Sequence, residues 1–389
     1  MTMFSRRFTA VCLALVAAAS MLVAAREQAA ARYFPPAGNW EKRDPAAMGL
    51  DPALLDEAIK TAIATASTRT KDLSVDIPNS FRNEAPYNNL IGPTQERADA
   101  NLLVIYKGYA VGSSGDIDRA DMTFSVTKTF LSTVVGEAYE RGMIKDLNDK
   151  VGPYMPGGVD LFTSEHNAKI TWDHLLRQTS DWSGTLWGKP DWADRPVPQG
   201  EKDPKVWEKR EMHEPGTFWK YNDTRVNVLA LATLYLFKEP LPSVLKREIM
   251  DPIGASKTWH WEPYENAYVT IDGRKMPSIP GGGHHGGGMF INAWDMARFG
   301  YLFLNNGKWG NRQLVTEKWI QMARTPTNVR PTYGFMNWGL NPNRPSRVTF
   351  DGNGPNVIHI DWNNDLVVVT RWLRGGPAFV DSVVAAIQK

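Results

Sequence analysis

Two strand-turn-strand patterns at opposite ends of the chain constrain its fold more than any other feature. The first spans residues 102–111 with a turn at Lys107-Gly108, and the second spans 357–371 with a turn at Asn363-Asn364-Asp365. Short apolar runs rich in β-branched residues and bounded by turn residues are typical of buried strands joined as hairpins. Because strand edges need hydrogen-bonding partners, the simplest arrangement joins both hairpins in one antiparallel sheet.

Helical periodicity predicts the helices that cover this sheet. Apolar residues recur on one face from Pro52 to about Ala66, and a final helix is expected over about 378–388. Residues 67–100 are polar and rich in Pro and Asn, which indicates a long surface loop. The resulting fold class is α/β of the α+β type, with an antiparallel sheet built from N- and C-terminal segments, covering helices and an all-helical lobe.

The chain is expected to form a single domain over residues 32–389. Its sheet lobe would comprise about 42–140 and 270–389, and its helical lobe about 141–269. With 389 residues, of which 42% are apolar, the chain can bury a core of this size. The net charge of +2 gives no electrostatic reason to expect nucleic acid as a partner.

Residues 1–25 have the pattern of a signal peptide. Arg6 and Arg7 precede an apolar run, Phe8 to Ala25, which ends in small residues suited to a signal peptidase. Cleavage as late as residue 31 and an uncleaved membrane anchor are the alternatives. The predicted location is therefore the periplasm or the extracellular medium, without membrane contact after cleavage.

The only cysteine, Cys12, lies within this apolar run. After cleavage the mature chain would lack cysteine. That excludes a cysteine nucleophile, an iron–sulfur cluster and a thiolate zinc site from the mature protein.

The segment Ser125-Val126-Thr127-Lys128 carries the strongest chemical signal. Apolar residues after it, from Phe130 to Tyr139, repeat at helical spacing and predict a buried helix. Ser125 would then lie at the helix N-terminus, with Lys128 on the same face one turn later. Burial lowers the pKa of a lysine, so the free amine of Lys128 could take the proton from the Ser125 hydroxyl.

The Ser-x-x-Lys pattern is not specific by itself, because Ser243-Val244-Leu245-Lys246 matches it equally well. This second copy follows two prolines and reads as an ordinary helix N-cap with a solvated lysine. Ser125 could also be only a cap. The catalytic interpretation therefore needs further signals.

Two further segments supply such signals. Pro215-Gly216-Thr217 leads to Tyr221, in a turn before a helix predicted from Val226 to Leu236. A phenol there could relay a proton between the lysine, the nucleophile and the leaving group, although a tyrosine packed at a helix start is the more common case. The glycine-rich segment 281–288 approaches the helix predicted from Ala293 to Leu304, and permits close backbone contact with a substrate or with the nucleophile's loop.

From about Trp40 to its end the chain resembles the class C β-lactamases, penicillin-binding DD-peptidases and related serine esterases and amidases. The motifs that carry the resemblance agree in order and spacing, and they are Ser125-Val126-Thr127-Lys128, the segment His174 to Ser180, Pro215-Gly216-Thr217 with Tyr221, and the glycine-rich stretch that ends at Asp295 to Gly300. The resemblance implies a β-lactamase/transpeptidase-like fold with the active site between a sheet and a helical lobe. It also implies an acyl-serine intermediate formed without metal or organic cofactor.

Two motifs depart from the family pattern. The second motif is usually Tyr-x-Asn, and here Asp223 takes the third place, where it could accept hydrogen bonds from Lys128 and raise the pKa of that lysine. The third motif, usually Lys-Thr-Gly or His-x-Gly, corresponds to Asp351-Gly352-Asn353-Gly354, whose register is open. The backbone of Asn353 and Gly354 is expected to supply the second oxyanion donor beside that of Ser125.

The third motif lacks the cation that grips a substrate carboxylate in relatives acting on penicillins. A neutral ester or amide is therefore favoured over a β-lactam. Arg344 or Arg347 could replace the missing cation, which leaves the β-lactamase alternative open.

The adjacent His284 and His285 have no acidic or histidine partner at helical spacing, so no metal site is predicted. His285 is instead a candidate for substrate contact from a flexible loop. The tryptophan-rich segment 181–220 is more typical of packing than of a pocket. Trp182 is nevertheless a candidate wall of the site, because pockets favour aromatic linings.

These observations predict an exported serine hydrolase that cleaves a small neutral ester or amide, with Ser125, Lys128 and Tyr221 as catalytic residues. The alternatives are a β-lactamase or DD-peptidase acting on penicillins or cell-wall peptides, and a non-catalytic binding protein on the same fold. The expected partner is a small-molecule substrate, and the oligomeric state stays open.

Overall fold

A five-stranded antiparallel sheet forms the centre of the protein in this computed structural model, which describes residues 32–197, 200–340 and 343–388. The strands are β1 (Asn101–Tyr106), β2 (Tyr109–Ser114), β3 (Asp121–Met122), β4 (Thr185–Leu186), β5 (Lys189–Pro190), β6 (His260–Glu262), β7 (Tyr268–Ile271), β8 (Arg274–Pro277), β9 (Gly288–Ile291), β10 (Lys308–Trp309), β11 (Arg312–Gln313), β12 (Arg347–Gly352), β13 (Asn356–Asp361) and β14 (Leu366–Arg371).

The central sheet has the strand order β12-β13-β14-β1-β2, so the two terminal hairpins share one sheet. They meet where β1 pairs with β14, with Val104 opposite Val368. The predicted fold class, with its antiparallel sheet built from both ends of the chain, is thereby confirmed. A smaller sheet has the order β3-β9-β6, and β4-β5, β7-β8 and β10-β11 are hairpins.

Helices cover the sheet and build the lobe beside it. The α-helices are α1 (Pro52–Ala64), α2 (Leu73–Ser80), α3 (Thr127–Glu140), α4 (Trp172–Leu176), α5 (Pro204–Glu208), α6 (Asp223–Phe237), α7 (Leu241–Leu245), α8 (Ala293–Leu304), α9 (Glu317–Ala323) and α10 (Gly376–Ala385). Helix α7 continues into a π-helical turn, Lys246–Met250. Short 3₁₀ turns are Ala46–Met48, Arg82–Glu84, Phe124–Val126, Gly152–Tyr154, Asn167–Lys169 and Asp191–Ala193.

Strands β1, β13 and β14 of the central sheet are buried on both faces, which explains their largely apolar sequences. Leu102 and Val104 belong to one core cluster together with residues of α1 and α10. On the opposite face Gly300 of α8 lies so close to Ile358 that an added Cβ would come within 2.7 Å of its Cγ2. The sheet is therefore enclosed between the terminal helices and α8.

The expectation of a long surface loop over residues 67–100 is wrong. This segment contains α2 and the turn Arg82–Glu84, and Glu84 is buried. Asp72 caps α2 by accepting a hydrogen bond from the Ser74 amide. Part of its polar character serves ion pairing, as the buried Asp76 with Arg69 shows.

The elements given above belong to the compact unit Pro35–Lys389. The predicted signal peptide, residues 1–25 with the alternative end at 31, lies outside the described residues. In the described ranges no single helix is long and apolar enough to cross a membrane, whereas the bent pair Asp223–Phe237 and Leu241–Met250 meets these criteria only together.

Adjacent leucines on α1 allow a test of the packing between α1 and the sheet. Leu55 is 1% exposed and Leu54 is 52% exposed. We expect Leu55→Ala to lower the free energy of unfolding by about 2–5 kcal/mol, because it removes buried methyl groups and leaves a cavity. Leu54→Ala should change it by less than about 0.5 kcal/mol. Equal losses for both variants in urea titrations would contradict this packing.

Candidate active site

Ser125 lies in a strained turn that presents its side chain at the edge of a cleft. The residue before it, Phe124, has a φ of +50°, which is a left-handed conformation that is costly for a non-glycine residue. Phe124 is buried and contacts Trp372 edge to face at 6.0 Å. This packing holds the turn in place, and the half-buried Ser125 precedes the first residue of α3 by two positions.

Lys128 lies in the first turn of α3, and its side chain is 1% exposed. Its Nζ is 2.9 Å from Ser125 Oγ and also donates to Asp223 Oδ1. Burial lowers the pKa of Lys128, while the Asp223 carboxylate acts in the opposite direction without cancelling it. The amine therefore lies within proton-transfer distance of the serine hydroxyl and holds its proton less tightly than a solvated lysine.

Asp223 is the first residue of α6 and contacts three donors. Its second oxygen, Oδ2, accepts from Arg195 NH1 at 2.9 Å and lies 3.0 Å from His284 Nδ1. Burial acts to raise the pKa of Asp223, but Lys128 and Arg195 outweigh it and hold that pKa well below the usual range. The charge of Asp223 is thus shared among several partners, which weakens its hold on the Lys128 proton.

The partners of Asp223 are held by two more acids. His284 Nε2 lies 2.6 Å from Glu84 Oε2, and Arg195 forms an ion pair with Asp194. Burial acts to lower the pKa of His284, but Glu84 and Asp194 raise it to about 9, so the ring is cationic at neutral pH. We call Lys128, Asp223, Arg195, His284, Glu84 and Asp194 the buried charge network.

Sequence reasoning missed four members of this network, namely Glu84, Asp194, Arg195 and His284. They come from three separate segments, none with a motif spacing that links them to Ser125. The doubled histidine beside the glycine-rich run was the one available signal. The acidic partners of His284, Glu84 and Asp223, are distant in sequence, so helical spacing does not reveal them.

The glycine-rich segment 281–288 approaches Lys128 and Asp223 closely at Gly282. A Cβ added there would lie 2.3 Å from both Lys128 Nζ and Asp223 Oδ1. Only glycine fits against this ion pair without moving it. The backbone of this segment therefore closes the site above the lysine.

Tyr221 lies in the turn before α6, next to Ser125 and Lys128. The Lys128 Nζ lies 4.9 Å from the centre of its ring, and the Arg195 guanidinium lies at the same distance. Burial and the nearby Asp223 carboxylate raise the pKa of the Tyr221 phenol, and a hydrogen bond with Ser125 opposes the rise. The structure thus brings Ser125, Lys128 and Tyr221 together, with the phenol protonated.

Ser125 and Tyr221 line a cleft of about 510 Å³, and Lys128 is buried beside Ser125. Among its lining residues are Ser125, Arg195, Tyr221, Trp338, Asp351 and Asn353. Tyr221 and Trp338 lie 5.2 Å apart between ring centres and form an aromatic wall. A cleft of this size accommodates a small molecule.

The close contact between β12 and the serine turn fixes the register of the third motif. A Cβ on Gly352 would lie 2.3 Å from the Thr123 carbonyl oxygen and 3.1 Å from the Ser125 nitrogen. The glycine that meets the nucleophile is therefore Gly352. Asn353 lines the cleft as expected, but the Gly354 amide donates to Asn353 Oδ1 at 2.9 Å. The expected use of the Gly354 amide as an oxyanion donor is wrong for this reason.

Two other candidate contacts do not reach the cleft. Trp182 is buried in the helical lobe, where its indole N–H donates to the Leu161 carbonyl at 2.7 Å, so it is a packing residue. His285 is buried, and its backbone carbonyl accepts from the amides of Ile91 and Gly92. It is His284, its neighbour, that contacts the site.

The arginines considered as replacements for the missing cation are also elsewhere. Arg347 pairs with Asp361 at 2.7 Å and with Asp381, and Arg344 pairs with Asp381. Neither lines the cleft with Ser125. The third motif places an acid, Asp351, in the cleft. This motif contains neither the lysine nor the histidine expected from the family pattern.

The second Ser-x-x-Lys segment lies at the surface. Ser243 is exposed, and the exposed Lys246 pairs with Asp251 at 2.5 Å. The two copies of the pattern thus differ in burial, which short-range spacing does not reveal.

Glu84, Asp194 and His284 offer three ligand atoms within 4.8 Å of one another. Each group already has a partner, since His284 lies between Glu84 and Asp223 and Asp194 pairs with Arg195. A metal ion there would face the Arg195 guanidinium and would displace these bonds. These three side chains are therefore better suited to their present hydrogen bonds and ion pairs than to binding a metal ion.

The sheet, the helical lobe and the paired serine and lysine define the class of protein. The sequence model of the family described as Beta-lactamase matches residues 118–381, which is more than half of the chain. The chain therefore belongs to the β-lactamase family, a family of serine hydrolases. A search of curated proteins gave no match.

Several solved structures have the same fold. A D-stereospecific amidohydrolase from Streptomyces is 16% identical with a TM-score of 0.51, over 87% of this chain and 98% of that one. A penicillin-binding protein from Bacillus halodurans is 15% identical with a TM-score of 0.51, over 81% and 99%. A β-lactamase from Mycobacterium bovis is 19% identical with a TM-score of 0.50, over 77% and 97%. At these identities the likeness concerns the fold.

The charge of His284 predicts a pH-dependent contribution to stability. Because its pKa is raised from 6.5 to about 9 in the folded chain, the stabilisation is complete below pH 6.5 and is lost as the pH rises through 9. We expect the difference in unfolding free energy between wild type and His284→Gln to shrink by up to about 3 kcal/mol between pH 6 and pH 10. Urea titrations at both pH values measure it.

The exposed His260, substituted in the same way, is the control for the loss of an imidazole at the surface. A difference for His284→Gln that is constant or grows with pH would mean that His284 is neutral in the folded protein.

Proposed function

We propose that this protein hydrolyses an ester or amide bond of a small molecule through an acyl intermediate on Ser125. The observation that carries the proposal is the 2.9 Å distance between Lys128 Nζ and Ser125 Oγ, with the lysine buried. A buried amine of lowered pKa is the base that a serine nucleophile requires. The exposed Ser243 and Lys246 lack this environment.

In the first half of the reaction the Ser125 oxygen attacks the substrate carbonyl while Lys128 takes the hydroxyl proton. The buried charge network assists this step, because Arg195 and His284 offset the charge of Asp223 and so favour a neutral Lys128. Asp223 keeps the amine directed at Ser125 through its other oxygen.

The negative charge on the carbonyl oxygen needs two donors. The Ser125 amide lies where β12 passes the serine turn, as the close approach of Gly352 indicates. We assign the second donor to the backbone amide of Asn353, which follows Gly352 in the cleft lining.

Collapse of the tetrahedral intermediate expels the alcohol or amine, which needs a proton. The Tyr221 phenol has a raised pKa, lies beside Lys128 and can pass on the proton that Lys128 received. A water molecule then attacks the acyl group by the reverse sequence of proton transfers, and Ser125 is regenerated.

The favoured substrate has no carboxylate beside the scissile bond. The cation that would bind such a group is absent from the third motif within the described cleft, where Asp351 would repel it. The D-stereospecific amidohydrolase among the structural neighbours supports an amide as one of the candidate substrates.

Ser125→Ala should abolish turnover while leaving the unfolding free energy within about 1 kcal/mol of wild type, because it removes one half-buried hydroxyl. A panel of short-chain 4-nitrophenyl esters, 4-nitroanilides and nitrocefin measures the activity. The matched control is Ser243→Ala, at the second Ser-x-x-Lys segment, which should retain full activity.

Labelling with a fluorophosphonate probe separates an enzyme from a binding protein, since only an activated Ser125 reacts. Retained hydrolysis in Ser125→Ala would refute the assignment. Nitrocefin cleavage faster than ester and anilide cleavage would establish the β-lactamase alternative.

Tyr221→Phe should slow anilides more than esters. General acid catalysis contributes about 10²- to 10⁴-fold to rate, and an anilide needs a protonated leaving group whereas 4-nitrophenolate leaves without one. We expect kcat to fall about 100-fold or more on 4-nitroanilides and less than about tenfold on 4-nitrophenyl esters.

The control is Tyr333→Phe, which removes a buried phenol whose ring centre lies 6.1 Å from that of Tyr221. It should affect both substrates equally. A uniform loss for Tyr221→Phe would assign this residue to positioning of Ser125 and Lys128 and not to protonation.

A further inference from the structure

Asp351 lies in the strand that passes the nucleophile. The strand β12 alternates, so that Phe350 packs against Phe299 and Phe303 of α8 while Asp351 lines the cleft. The residue after it, Gly352, touches the serine turn. The Asp351 carboxylate is therefore one residue removed from the contact that positions Ser125.

No hydrogen bond or ion pair joins the Asp351 side chain to any residue in the described ranges. The side chain is exposed to the cleft, and no lysine or arginine in the described ranges forms an ion pair with it. The acids of the buried charge network are paired in contrast, as are Asp361 of β13 and Asp381 of α10. Asp351 is thus an acid in a substrate cleft whose partner is not supplied by the chain.

The arginines that line the same cleft are not ion-pair partners of Asp351. Arg69 is paired with Asp76, and Arg195 is paired within the buried charge network. Arg374 is exposed at the rim, where it donates to a threonine hydroxyl at 2.9 Å. The unpaired charge in the strand next to the nucleophile is therefore negative.

We propose that Asp351 is a specificity-determining residue that binds an ammonium group on the acyl part of the substrate. The substrate class is then a short aminoacyl ester or amide, in which a primary amine lies a few bonds from the scissile carbonyl. The ammonium forms the ion pair that Asp351 lacks in the free protein. The Asp351 carboxylate repels substrates with a carboxylate at that position. The proposal rests on the proposed function and narrows its substrate.

Matched substrate pairs test this assignment. Glycyl, β-alanyl and 4-aminobutyryl 4-nitrophenyl esters and 4-nitroanilides are compared with their propionyl, butyryl and pentanoyl counterparts, which replace the ammonium by a methyl group. Wild type should prefer the aminoacyl member of at least one pair by tenfold or more in kcat/KM. Asp351→Asn should reduce kcat/KM for that aminoacyl substrate about 10- to 100-fold, which is the range of a hydrogen bond to a charged group.

The uncharged counterparts provide the internal control, and Asp351→Asn should alter their kcat/KM by less than about threefold, as expected for a residue that does not act in the chemical step. Asp56→Asn, on the exposed face of α1, controls for the change in net charge. Asp351→Lys should reverse the preference toward mono-4-nitrophenyl succinate, whose carboxylate would meet the introduced ammonium.

Three results would overturn the assignment. Equal losses on charged and uncharged substrates in Asp351→Asn would make the residue structural. A wild-type preference for the uncharged or the succinyl substrates would remove the need for an ammonium partner. Both of these leave Ser125-dependent turnover and fluorophosphonate labelling intact, so the proposed function would survive. The third result is an absence of Ser125-dependent turnover in the wild type. It would overturn both the proposed function and the role of Asp351.

Discussion

The ion pair between Lys128 and Asp223 is the interaction on which the site depends. A lysine buried to this degree would be strongly destabilised as an isolated cation, and an aspartate buried beside it would be equally unfavourable alone. The protein resolves this by surrounding the pair with Arg195, His284 and their acids, so that positive and negative charges alternate. Because the network balances the charges of groups that are mostly shielded from solvent, Lys128 can lie against Ser125 and still have a lowered pKa.

The fold makes this arrangement possible by bringing remote segments to one point. Helix α3 begins at the sheet and supplies Lys128, whereas α6 begins in the helical lobe and supplies Asp223. The segment before β1 supplies Glu84, which contacts His284 from the glycine-rich segment. Tight packing fixes these contacts, since Gly282 leaves no room for even one added carbon beside the ion pair. The cleft is therefore lined by groups held from several directions.

Asp223 and Asp351 are the two aspartates that depart from the motifs expected from the sequence, and their surroundings give them different roles. Asp223 is buried among cations that balance its charge, and its carboxylate orients Lys128. Asp351 lies on the cleft face of β12 without a partner, so its charge is available to a ligand. One aspartate thus binds groups of the protein, whereas the other can bind a ligand. The difference lies in neighbouring charges and not in the residue type.

The sequence by itself determined the two hairpins, the helices that flank the sheet and the first turn of α3, because each depends on residues close together in the chain. The apolar runs of β1 and β14 and the periodicity after Ser125 are local patterns of this kind. The burial of Lys128, in contrast to Lys246, and the pairing of His284 with Glu84 depend on segments that meet only after folding. Trp182 and His285 were misplaced for the same reason, since an aromatic or histidine-rich segment does not reveal which side chain faces the cleft. Tertiary structure decided these points because burial and charge partnership are set by long-range packing, which leaves no periodic trace in the sequence.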